Sequence, residues 1–148
     1  MIPIYTAVIR YFLLMFLMLL ITGIWLLLSH TSLSVESFTN YYVEKSFFGL
    51  LEIITPHLFA MGTTVFILTH LLSLNKKNTP YENKLSLVLF TLMLLSNFSL
   101  FFITEESTWM VWIKLISTIL FFIFSLLSIY QVLLRTHKPK LNNRKTTS

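Results

Sequence analysis

The sequence predicts an all-α integral membrane protein: an antiparallel four-helix transmembrane bundle with a short interfacial helix in its first outer loop. Of 148 residues, 55% are hydrophobic and only 11% are charged, about half the charged share of a soluble domain. The apolar residues gather into four runs, each close to the roughly 20 residues that a spanning helix needs. Too little chain lies outside them to build a soluble domain, so residues 1–148 read as one transmembrane domain.

The first run covers 9–30. Its apolar stretch exceeds the roughly 7 to 15 residues of a secretory signal and no small-residue cleavage site follows, which predicts a retained helix. Residues 34–52, "SVESFTNYYVEKSFFGLLE", mix acids with aromatics at loosely helical spacing. Ser34 suits an N-cap there, and Gly49 or Pro56 suits a stop, so a helix lying in the interface is expected. It serves either as a cover over the bundle mouth or as a docking surface for a partner. The second run, 56–74, opens on Pro56, which fits a first helical turn. The third, 85–104, contains the sequon Asn97-Phe-Ser at a depth where glycosylation has no meaning. The fourth, 109–134, leads into a basic tail, 135–148.

Charge orients these runs. Arg10, the second connection "NKKNTPYENK" and the tail together hold nine of the 11 basic residues. The opposite side holds Lys45 and Lys114 with Glu36, Glu44, Glu52, Glu105 and Glu106. Because basic loops stay on the side that is not translocated, both termini are expected in the cytoplasm, in a bacterial inner membrane or its equivalent. Trp25, Trp109 and Trp112 then fall near the outer ends and Tyr11, Tyr81 and Tyr130 near the inner ends, as interfacial belts require. This accounts for the net charge of +5 through topology and anionic lipid, and gives no ground for nucleic-acid binding.

With no cysteine, disulfides, thiolate metal sites, iron–sulfur clusters and covalent c-type haem are excluded. There is no Asp and no nucleotide-binding glycine loop or nucleophile elbow, which argues against soluble-type catalysis.

The histidines are the candidate site. An ionisable side chain within a membrane is costly and is therefore a functional hypothesis, although a neutral imidazole is the cheapest such group. His30 closes the first run and His57 opens the second, at matched depth on helices that sequence order makes neighbours. Two imidazoles facing each other across helices are what a bis-histidine haem b needs. His70 lies thirteen residues after His57, roughly 20 Å along an ideal axis and about 140° around it. Met15 matches His70 in depth as an alternative ligand, whereas His137 reads as a tail residue. The plain alternatives are hydrogen bonds: His30 to headgroups or helix-end carbonyls, His57 to nearby loop or helix groups, His70 to a Ser or Thr of another helix.

Lys114 follows the outer start of the fourth run. It either snorkels outward to meet Glu105 or Glu106, or faces inward with Ser117, Ser125 and Ser128 and pairs with a haem propionate or another anion. Asn97 lies at a similar depth. Gly23, Ala60, Gly62 and Thr64 are expected to let the first two helices approach closely, and Gly23 shares a face with His30.

The stretch "PHLFAMGTTVFILTHLL" resembles the haem-carrying helices of small membrane cytochromes b, in which one helix offers a histidine near each membrane face with a glycine between. The resemblance covers this helix and His30. It implies haem b between His30 and His57, a second haem at His70, a ring packed close to Gly62, and electron transfer between a quinol and a partner redox protein, as a subunit of an oxidoreductase complex. The alternative is a structural or assembly subunit, without cofactor, packed against larger membrane partners. A solute transporter or channel component is disfavoured by the lack of an internal repeat.

Overall fold

In the computed structural model, residues 3–31, 34–73 and 80–137 are described, with side chains for 5–29, 34–73, 80–107 and 109–136. They form five helices: α1 (Pro3–Thr31), α2 (Val35–Val43), α3 (Phe47–Ser73), α4 (Pro80–Phe98) and α5 (Thr108–His137), with a 3-10 turn, Ser99–Phe102, continuing α4. Four segments are long and apolar enough to cross a membrane: Tyr5–Ser29, Phe47–Ser73, Pro80–Phe102 and Trp109–Thr136. The chain is thus a multi-pass membrane protein, an all-α bundle whose outward side chains contact lipid.

α4 is the most buried span and packs between α3 and α5. Its inward residues Leu85, Leu89, Leu92, Met93 and Ser96 recur every three or four positions, the period of one helical face. Val65, Leu68 and Leu72 of α3 and Phe121, Ile129 and Val132 of α5 complete this core with Ile9, Leu13, Phe16 and Leu20 of α1. At the loop end of the bundle a second core forms around Phe38 of α2, with Ile54, Leu100, Ile103 and Val111. Only 1% of Phe38 is exposed, so α2 is anchored by one aromatic plug.

Three expectations change. The second span begins at Phe47, nine residues ahead of Pro56, and runs through the proline as one helix. Proline only removes one donor, leaving the Glu52 carbonyl without its usual partner near the span's end, where water or headgroups can take it. The interfacial helix is correspondingly short, since part of 34–52 belongs to α3. Ser34 is its N-cap, accepting a hydrogen bond from Ser37 N at 3.0 Å. Finally, α1 packs along α5 and α2 and not in an extended seam with α3. A Cβ on Gly23 would meet Phe122 of α5 at 3.9 Å, and one on Gly62 would meet Met93 of α4 at 3.9 Å. These small residues face α5 and α4, so their size does not serve an α1–α3 contact.

The Trp and Tyr residues assigned to the belts all point outward, from Trp112 at 53% exposed to Trp25 at 73%. On α2, Tyr42 packs between Phe38 and Tyr41, with ring centroids 4.9 Å from each. Burial, and then charge on Tyr41, pushes the Tyr42 hydroxyl up to about 12 from 10.0. A pKa raised by folding gives stability that is complete below the unfolded value and is lost as pH climbs through the folded value. The docking of α2 is therefore expected to weaken between pH 10.0 and about 12. Ultraviolet titration of phenolate should show one late tyrosine that Tyr42→Phe removes; full ionisation of all tyrosines near pH 10 would contradict the buried setting.

Candidate functional site

α5 carries two cations within its span, and each sits at the carbonyl end of a neighbouring helix. The last carbonyls of a helix lack backbone donors and carry the negative end of its dipole, so a cation there both satisfies and neutralises them. At the loop end, Lys114 Nζ donates to Ser96 O at 2.6 Å and to Ser96 Oγ at 3.0 Å. Asn97 Nδ2 donates to Met93 O at 2.8 Å and Ser99 Oγ to Ser96 O at 3.1 Å, so side chains serve the carbonyls where α4 tightens into its 3-10 turn. At the tail end, Arg135 Nη1 donates to Leu72 O at 2.6 Å, the penultimate residue of α3. Its Nη2 pairs with Glu82 Oε1, in the first turn of α4, where a carboxylate complements the positive end of that helix. Arg135 thus joins α3, α4 and α5.

Lys114 does face inward with Ser117, Ser125 and Ser128, which are at most 2% exposed. Its partner is the α4 backbone; Glu105 and Glu106 are exposed and form no ion pair among the described residues. Ser96 and Lys114 have the separation of a nucleophile and its base, but Ser96 is 3% exposed and its hydroxyl is also bonded to Thr118 Oγ1 at 2.9 Å. No substrate could reach it, and the cluster is a helix cap. The sequence marks the Glu82–Arg135 pair only through Glu82, a lone acid within an otherwise basic connection.

The histidines are elsewhere. His57 and His70 are both exposed, and each interacts within its own helix. His57 Nδ1 lies 2.9 Å from Ile53 O. A carbonyl only accepts, so this contact needs a proton on Nδ1 and leaves the Nε2 lone pair pointing away from α3. The His70 ring stacks on Phe66 at 6.4 Å and lies opposite the core. The side chains of His30 and His137 lie outside the described residues, and Met15 is 73% exposed. Gly62 packs on Met93 and Lys114 on Ser96, so neither of these two gathers around His57 or His70. What suits a haem is the single nitrogen of His57; among the described residues no group of three or more His, Cys, Asp or Glu could hold a metal ion. An open apolar groove of about 370 Å³ lies between α3 and the end of α4, lined by residues including Leu51, Leu58, Phe59 and Phe98, with none of the candidate ligands.

The side of α3 turned away from the core has a pattern of its own. Glu52, Pro56, Phe59, Thr63, Phe66, His70 and Ser73 are all exposed and alternate spacings of four and three. The side chains of Glu52, Thr63 and His70 form no hydrogen bond with any other described residue.

The clamp at the tail end can be measured. Arg135→Leu leaves the Glu82 carboxylate, only 7% exposed, without its cation. Removing one member of a buried pair costs about 3–5 kcal/mol, and the lower end applies because Arg135 keeps 28% of its side chain exposed. Unfolding in bicelles should show this loss, and Glu82→Leu combined with Arg135→Leu should recover much of it; equal stability of Arg135→Leu and wild type would refute the clamp.

No curated protein and no solved structure matches the chain. A family described as a transmembrane helical domain matches residues 32–143, a segment that takes in α2 to α5 with the turn and both α5 cations. As this segment is well over half of the 148 residues, the chain belongs to that family of transmembrane helical domains.

Proposed function

We propose that this protein is a packing subunit of a larger membrane assembly, a structural or assembly component that docks through the outward face of α3. The observation that carries this reading is the division of its polar groups. Inside the bundle Lys114, Ser96, Arg135 and Glu82 bind across helices, whereas the side chains of Glu52, Thr63 and His70 lie on one outward stripe without a hydrogen bond to any other described residue. A polar side chain in hydrocarbon loses its hydrogen bonds to water, so such a stripe favours another protein over lipid as its neighbour. In this reading both termini are cytoplasmic, as the basic loops ask, in a bacterial inner membrane or its equivalent. A photoreactive residue at position 63 in native membranes should yield protein adducts, while one at Met18 of α1, 57% exposed, should yield lipid adducts. Lipid adducts alone at position 63 would overturn the reading.

A second reading, a b-type haem subunit passing electrons between quinol and a partner redox protein, is favoured by one observation. The Nδ1 contact of His57 leaves Nε2 as an available ligand nitrogen, and second-shell carbonyl bonds of this kind orient metal-binding histidines. His57 would then hold the iron together with His30, and a haem would supply one-electron transfer. Protein purified with full haem supply should show sharpened Soret and alpha bands on reduction that His57→Ala abolishes. A colourless preparation, or an assembly that survives His57→Ala with full function, would exclude this reading.

A further inference from the structure

We draw no further inference here: the strongest candidate, the open apolar groove between α3 and the end of α4 with Phe59 and Phe98 among its walls, carries nothing because no feature of the structure shows what covers it.

Discussion

A backbone carbonyl at the end of a helix inside a bilayer has no water to bind, and in this protein that constraint is met by one helix acting on two others. Lys114 and Arg135 of α5 each supply donors to the carbonyl end of a neighbour, Lys114 to α4 and Arg135 to α3. The two residues are separated by roughly 31 Å along an ideal helix, close to the thickness of the hydrocarbon layer. They therefore sit toward its two borders, where a cation costs less than at the centre. A slide of α5 by one turn would break both contacts together, so they fix its register against α3 and α4.

Between these clamps the α4–α5 interface is held by small polar residues. Ser96, Ser117, Ser125 and Ser128 are buried; Ser117 and Ser128 donate to backbone carbonyls of α5, and Ser96 bonds to Thr118 and Lys114 across the interface. Serines let helices approach closely and replace the hydrophobic driving force that water would supply to a soluble bundle. Ser125 Oγ and the second oxygen of Glu82 are buried without a partner. The Glu82–Arg135 pair is better seen as fixing one arrangement than as adding net stability, since desolvating two charges offsets much of their attraction. α1 joins the shared core through Ile9, Leu13, Phe16 and Leu20 and packs mainly along α2 and α5, and the family match, 32–143, begins after it.

The outward face of α3 is the counterpart of this interior. Hydropathy treats α3 as an ordinary span, and by length and composition it is one. Its polar residues become informative only when they are seen to point away from the core on one stripe. His70 illustrates the reversal: as an intramembrane histidine it invited an interior ligand role, and its placement opposite Val65, Leu68 and Leu72 makes it a surface group.

The amino-acid sequence by itself determined the four spans, the belt aromatics and the Ser34 cap, and it left Lys114 open between the outer surface and the serine face that the structure gives it. Spans, belts and cap follow from local period and from the contrast between lipid and water, which each segment meets on its own. The tertiary structure alone decided the rest. Order along the chain made the first two spans look adjacent, but Gly23 turned out to face Phe122 of α5. Pro56 looked like a helix start because it suits a first turn, yet α3 accommodates it at the cost of one hydrogen bond near the span's end. Lys114 and Ser96 are 18 residues apart, Arg135 and Glu82 are 53 apart, and no periodicity connects such positions. Which helix turns which face to which neighbour depends on how all the spans fill a shared core, and on which carbonyl ends are left for a distant cation to cap.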